Sequence, residues 1–157
     1  MDNEIRTAAE AYEGDAMPRA HEVHADPARR KACDQDIPKA VTDKPVTQKS
    51  PAQWAYERVV LYLKHFEEQL DNEHEVAIGY TGSDAGGLRI EGMGYFDPDV
   101  VTFYGTDPSG GRTQLIQHVS QLNVVLRALP KQVDSAPPNR IGFRLVEDLE
   151  KSGTDQA

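Results

Sequence analysis

The chain has 157 residues, which is enough for one domain of ordinary size. Its single cysteine, Cys33, excludes an intrachain disulfide and a zinc site built from several cysteines. The net charge of −9 opposes attraction to phosphate backbones and so disfavours non-specific nucleic-acid binding. No apolar run approaches the ~20 residues that a membrane helix needs, so we expect no membrane span.

The first third of the chain differs in composition from the rest. Residues 1–49 mix charges of both signs with prolines and few large apolar side chains, which predicts a disordered arm. The acidic N-terminus has no apolar segment typical of a signal peptide, so we expect a cytoplasmic protein. The motif HEVH, His21 to His24, lacks a third ligand, and we therefore expect no metal and no cofactor.

A helix is predicted to begin at Pro51. Ser50 is a suitable N-cap, Pro51 suits the first helical position, and Gln53 follows three residues after the cap. Apolar residues then recur every three or four positions, which is typical of one buried helical face. That face comprises Ala55, Val59, Leu63, Phe66 and Leu70.

Four strands are predicted after this helix. Alternating apolar residues in HEVAIGYT and LRIEGMGYF, and β-branched and aromatic residues in VVTFYGT, indicate three of them. The turn DPSGG then leads into a returning strand, RTQLIQHV. Gly92 and Gly94 share one face of the second strand, which predicts a bend or a close approach by another element.

Residues 120–129 allow two interpretations. The apolar spacing of Leu122, Val125, Leu126 and Leu129 favours a helix, whereas NVVLRAL also alternates imperfectly as a strand. RIGFRL, ending at Leu145, is interpreted as a final strand or an edge segment, and residues 147–157 as a flexible tail.

The predicted fold is α+β. One domain, residues 50–146, places the first helix across a bent antiparallel sheet of four to six strands. The alternative is an open sheet with a second helix at 120–130. The expected core comprises Trp54, Val59, Leu63, Phe66, Val76, Ile78, Ile90, Val101, Phe103, Leu115 and Leu126.

Two resemblances add to this interpretation. Residues 50–145 resemble an uncharacterised bacterial family with a domain of unknown function, through WAYERVVLYLKHFEEQLDNEHEV, GYFDPDVVTFYG, LIQHVSQLNVVL and RIGFRL. More remotely, a helix running into a bent sheet is similar to the Sm-like fold of the RNA chaperone Hfq. That second resemblance implies an Sm-like barrel, a ring of subunits, and His118 at the histidine of a Lys-His pair that holds uridine-rich RNA.

The chain departs from Hfq where RNA would bind. Gln117 stands in place of the lysine of the pair, and Pro98-Asp99 replaces a polar-aromatic pair. A uridine pocket would thereby lose its cation and its stacking ring, and base stacking contributes about 1–3 kcal/mol per base. The resemblance therefore implies a pocket that has been remodelled or lost.

Candidate site residues cluster around the end of the predicted fourth strand. The binding candidates are Tyr95, Phe96, Asp97, Gln117, His118 and Gln121. His118 with Ser120 and a nearby aspartate also suggests a hydrolase, but no G-x-S-x-G motif is present. The simpler interpretation is a set of polar groups that satisfy a strand end.

No catalytic constellation stands out, so we expect no enzyme. The predicted function is a noncatalytic cytoplasmic module acting through contacts with itself, as a homo-oligomer, or with another protein. The alternative is an Hfq-like RNA-binding post-transcriptional regulator with a remodelled pocket, although the acidic charge disfavours RNA.

Overall fold

The computed structural model describes residues 23–26, 37–44, 48–80 and 87–154. Its helices are α1 (Lys39–Thr42), α2 (Pro51–Glu68) and α3 (Ile141–Thr154). Its strands are β1 (His74–Tyr80), β2 (Leu88–Phe96), β3 (Val100–Thr106), β4 (Arg112–His118) and β5 (Val124–Pro130). A 3-10 turn, Val119–Gln121, connects the last two strands. No helix in these ranges is long and apolar enough to cross a membrane.

The five strands form one antiparallel sheet in the order β4-β3-β2-β1-β5. The sheet curls into a half-barrel. The pairing of β2 with β3 shifts register between Ile90 and Gly92, which bends β2 near the predicted glycine. The predicted α+β class, the first helix and the four strands before residue 119 are therefore confirmed.

The helix favoured for residues 120–129 is wrong, and so is the alternative open sheet with a second helix. Residues Val124–Pro130 form β5, which pairs with β1 along its whole length, from Tyr80↔Val124 to His74↔Pro130. This pairing provides hydrogen-bond partners for the backbone groups of β5 that face β1, and it overrides the helical spacing of the apolar residues.

The C-terminal prediction is also wrong. The segment interpreted as a strand and a flexible tail forms α3, which extends to Thr154. Ile141, Val146 and Leu149 are buried, whereas Phe143 is 38% exposed. The alternation of Ile141 and Phe143 thus reflected only the first turn of an amphipathic helix, whose apolar face packs on α2.

The predicted disordered arm includes residues that pack against the domain. Val41 in α1 is only 1% exposed, and Ile37 packs against the core. Lys49 is buried as well. Residues 1–22, 27–36 and 45–47 of the predicted arm, and with them His21, lie outside the described residues.

The core lies between the inner face of the sheet and the helices. Eight of the eleven predicted core residues are buried, and Phe66, Leu115 and Leu126 are partly buried against them. The sequence interpretation missed the contributions of the N-terminal segment, of one further stripe of α2, of part of β2 and of α3. These include Val41, Tyr56, Val60, Met93, Ile141, Val146 and Leu149.

Glu67 joins the two long helices at the start of α3. Its side chain is buried, and its two carboxylate oxygens accept hydrogen bonds from the backbone N–H groups of Gly142 at 3.0 Å and Phe143 at 3.2 Å. A carboxylate of α2 thus caps α3, satisfying two N–H groups that have no partner within the helix. Burial raises the pKa of Glu67, and these two hydrogen bonds oppose the increase.

We expect Glu67→Gln to lower the free energy of unfolding by about 1 kcal/mol at neutral pH, because the amide can accept from only one of the two N–H groups. Because the pKa of Glu67 is higher in the folded than in the unfolded protein, protonation of Glu67 stabilises the fold. This stabilisation is complete below the unfolded pKa of 4.5 and is lost as the pH rises through the folded pKa. The destabilisation by Glu67→Gln should therefore grow as the pH falls toward 4.5. Urea unfolding at several pH values measures it, and a pH-independent difference would contradict the burial argument.

Candidate functional site

The turn between β2 and β3 connects three parts of the fold. The Ser50 hydroxyl donates a hydrogen bond to the Asp97 carboxylate, and the Ala52 N–H donates to the Pro98 carbonyl at 2.9 Å. Ser50 also caps α2 as predicted, because its hydroxyl oxygen accepts from the Gln53 N–H at 3.0 Å. The turn is therefore fixed to the beginning of α2.

His118 connects the same turn to the end of β4. Its Nε2 lies 2.9 Å from Asp99 Oδ2, and its Nδ1 lies 2.7 Å from the Ser120 hydroxyl. The Ser120 N–H also donates to Nδ1, at 3.1 Å. Since Nδ1 accepts this bond, the neutral imidazole carries its proton on Nε2, where it donates to Asp99.

The chain of Asp99, His118 and Ser120 contains the residue types of a hydrolytic triad. However, His118 and Ser120 are two residues apart, and His118 caps the 3-10 turn through the Ser120 N–H. The side chains of His118 and Asp99 are 51% and 42% exposed, so water competes for the hydrogen bonds of both. The geometry favours the structural interpretation, in which these polar groups satisfy the end of a strand.

The six predicted binding residues do not line one pocket. Phe96 and His118 face outward and flank Val100 in one cross-strand row. Tyr95 and Gln117 occupy the opposite face, where both pair with Val101. Of the remaining two, Asp97 bonds Ser50 in the turn and Gln121 is exposed in the 3-10 turn.

Of these six residues, Gln117 has a buried polar atom without a hydrogen-bond partner in the described part of the chain. This atom is its side-chain oxygen Oε1. An unpaired buried acceptor is uncommon, because it loses water without gaining a replacement. Gln117 lies on β4, at one end of the sheet.

Asp107 accepts hydrogen bonds within the predicted turn of the β3–β4 hairpin. Its Oδ1 accepts from the Ser109 N–H, the Ser109 hydroxyl and the Gly111 N–H. Because these bonds favour the ionised form, they lower the pKa of Asp107. Gly110 adopts a φ of +87°, a conformation that glycine accepts easily.

A cavity of about 400 Å³ lies elsewhere, between the N-terminal segment, α2, β2 and α3. One wall contains a buried ion pair in which Lys49 Nζ lies 2.9 Å from Glu57 Oε2. Lys49 also donates to the carbonyls of Ala40 at 2.6 Å and Val41 at 2.9 Å. The pair therefore fixes the last turn of α1 to α2.

Aromatic side chains form another part of this cavity. The rings of Tyr56 and Tyr95 have centroids 5.1 Å apart and planes inclined by 51°. Burial, and then the nearby charge of Asp148, raise the pKa of Tyr56 to about 12, so its phenol is neutral at physiological pH. Tyr95 is thus the only predicted binding residue that lines this cavity.

The sequence interpretation missed the cavity because its residues come from four separate segments. One local signal was available, since Gln53, Tyr56, Glu57 and Val60 repeat at helical spacing beside the predicted apolar stripe. That second stripe indicates a helix contacted on two sides. Its partners, Lys49 and Asp148, lie in the predicted arm and tail.

The fold and these sites define a small α+β domain with a curled five-stranded antiparallel sheet. A family model described as a family of unknown function, DUF6173, matches residues 47–144. Because this match covers more than half of the chain, the chain belongs to the DUF6173 family, which confirms the expectation of an uncharacterised family. No curated protein and no solved structure matches the chain, so the resemblance to Hfq gains no support from these comparisons.

Proposed function

We propose that this domain is a noncatalytic cytoplasmic module that acts through protein–protein contacts, chiefly with other copies of itself. The observation that carries the proposal is the pair of open sheet edges. β4 and β5 lie at the two ends of the sheet, and each is paired with another strand on one side only within the described residues. Unpaired N–H and C=O groups along such an edge are a template for strand addition.

The two edges lack most features that prevent pairing. Each strand has seven residues, with one arginine in each, Arg112 in β4 and Arg127 in β5, and a proline only at the end of β5. Protective edges are usually shorter, or carry several charges or an internal proline. A second copy supplies antiparallel partners of the same length.

Near the β4 edge, apolar side chains are exposed on the outer face of the sheet. Phe96, Tyr104 and Ile116, here called the outer patch, are 76%, 45% and 63% exposed. The strand register places all three on the same face. Burying this patch against a second copy removes apolar surface from water, which contributes roughly 25 cal/mol per Å².

We expect Ile116→Lys to shift the protein toward monomer, because the charge would be buried in the assembled interface. Size-exclusion chromatography with light scattering over a range of concentrations measures the mass. Gln132→Lys is the matched control, since Gln132 is exposed in the loop after β5 and should leave assembly unchanged. Both variants should retain the wild-type melting temperature, because neither replaced side chain is buried. Equal masses for the wild type and Ile116→Lys would contradict a role for the outer patch.

RNA binding is the second candidate, supported by the outward row that contains Phe96 and His118. An exposed aromatic ring beside an imidazole can stack on an unpaired base. The Asp99 carboxylate, 2.9 Å from His118, and the charge of −9 both act against phosphate binding. A uridine-rich oligonucleotide that fails to bind at low salt, where electrostatic attraction is strongest, would eliminate this candidate.

A further inference from the structure

The two edge strands, β4 and β5, differ in how well each one suits a second copy of itself. When a strand pairs antiparallel with its own copy about a two-fold axis, its central residue lies opposite itself and its first residue lies opposite the partner's last. Both strands have seven residues, so the central residue is Leu115 in β4 and Arg127 in β5. The residues on either side of each centre decide which edge is self-complementary.

β5 is poorly suited to this pairing. Along its full length, Arg127 would lie directly opposite the partner's Arg127, and like charges in opposed positions destabilise a strand pair. Pro130 at the end of the strand has no N–H group to donate, and its carbonyl already accepts a hydrogen bond from Arg89 at 2.8 Å. Pairing through β5 therefore opposes two positive charges and loses backbone hydrogen bonds.

β4 does not match β5 along its full length either. An antiparallel pairing of all seven residues would place Leu115 opposite the partner's Arg127. Leu115 lies on the inner face of the sheet, where it pairs with the buried Phe103, whereas Arg127 is exposed on the outer face. A pairing that matches the two faces has to slip by one residue, and so it is shorter.

β4 paired with its own copy avoids both conflicts. Leu115 lies opposite the partner's Leu115 on the inner face, and Thr113 lies opposite the partner's Gln117 on the same face. On the outer face, Gln114 lies opposite the partner's Ile116. The inner-face pairs therefore combine like with like, and every residue of the strand keeps its own face.

The ends of β4 add charge complementarity to this pairing. Arg112, the first residue, lies opposite the partner's His118, the last. Because His118 Nε2 lies 2.9 Å from Asp99 Oδ2, the Arg112 guanidinium comes close to the partner's Asp99 carboxylate. Opposite charges across a strand pair are stabilising, and the two-fold axis repeats this contact at the other end of the strand.

We propose that the protein forms a closed two-fold dimer in which β4 pairs with the partner's β4 in the register centred on Leu115. The two five-stranded sheets then join into one sheet of ten strands, with a β5 strand at each end. This inference rests on the proposed function, because it specifies which edge mediates self-association. Ile116 of the outer patch lies at the junction of the two sheets.

Charge reversal at each edge tests which strand pairs. Arg112→Glu places a second carboxylate near the partner's Asp99, and we expect the Kd of the dimer, measured by light scattering over a range of concentrations, to rise about tenfold. Arg127→Glu is the matched control, because it reverses the one arginine of β5 and should leave this Kd unchanged. Both arginines are exposed, so both variants should keep the wild-type melting temperature.

The outcomes separate this inference from the proposed function. A wild-type protein that is monomeric at every concentration overturns both. An oligomer that Arg112→Glu does not weaken, or an assembly larger than a dimer, overturns the β4 pairing and leaves self-association in place.

Nitroxide labels test the register. Gln114→Cys and Ile116→Cys, each combined with Cys33→Ser, carry one label per chain on either side of the Leu115 centre. The two positions are equally far from the two-fold axis, so we expect equal spin–spin line broadening, with equivalent Cα atoms about 8 Å apart. Val125→Cys on β5 is the control and should show no such broadening. Unequal broadening at the two β4 positions, or close labels at Val125, would overturn the proposed register.

Discussion

Gly142→Ala is expected to lower the free energy of unfolding by about 3 kcal/mol, although alanine is the better helix former. A Cβ on Gly142 would lie 2.6 Å from the Lys64 nitrogen and 2.8 Å from the Leu63 carbonyl carbon. These are backbone atoms of α2, which no side-chain rotation can move. The higher helix propensity of alanine contributes at most about 1 kcal/mol and is outweighed.

The substitution also affects the cap of α3. The Gly142 N–H donates to Glu67, so separating the helices to fit a methyl group lengthens this bond. Gly79→Ala is the matched control, because its Cβ would meet only side-chain atoms at 3.7 Å and 3.9 Å, which is ordinary contact. Urea unfolding compares the two variants. A Gly142→Ala protein as stable as Gly79→Ala would show that the two helices do not pack this closely.

Lys49→Met is expected to lower the free energy of unfolding by about 3 kcal/mol. The Lys49 side chain is 1% exposed and donates to Glu57 and to two carbonyls of α1. Its removal leaves the Glu57 carboxylate buried without its cation. Because the carbonyls lie in α1, we also expect faster amide hydrogen exchange at Val41, whose side chain is buried.

Two further variants test whether the unpaired Glu57 charge causes the loss of stability in Lys49→Met. Lys49→Met with Glu57→Gln should recover part of the loss, because the double variant buries no unpaired charge. Lys64→Met is the control for a less buried pair, since Lys64 Nζ lies 3.9 Å from Glu68 Oε1 and the Lys64 side chain is 26% exposed. Such pairs contribute at most about 1 kcal/mol. A loss of only about 1 kcal/mol for Lys49→Met would contradict the stabilising role assigned to the Lys49–Glu57 pair.

The sequence predicted the parts of the fold that depend on local patterns. The cap at Ser50, the stripe of α2 and the first four strands each have a signal within a few residues, and the structure contains all of them. The errors concern segments whose structure depends on distant partners. β5 is a strand because β1 pairs with it, and α3 begins where Glu67 caps it.

The site was harder to predict than the fold because it also depends on residues that are distant from one another in sequence. His118 lies at the end of β4, and its partners Asp99 and Ser120 lie in adjoining turns that are recognisable from local sequence. The cavity depends on Lys49 and Asp148, whose segments looked too polar to fold alone. The helix that carries Asp148 packs on both α2 and α1, and Lys49 forms an ion pair with Glu57 of α2.

Native mass spectrometry of the full chain, purified gently from cells, tests the central claim most directly because it reports assembly and bound nucleic acid together. The account predicts the mass of a homo-oligomer, a whole multiple of the 17.4 kDa chain, without RNA. A monomer at every concentration would contradict self-association through the open strand edges. An oligomer that carries RNA would instead support the second candidate function, despite the acidic charge.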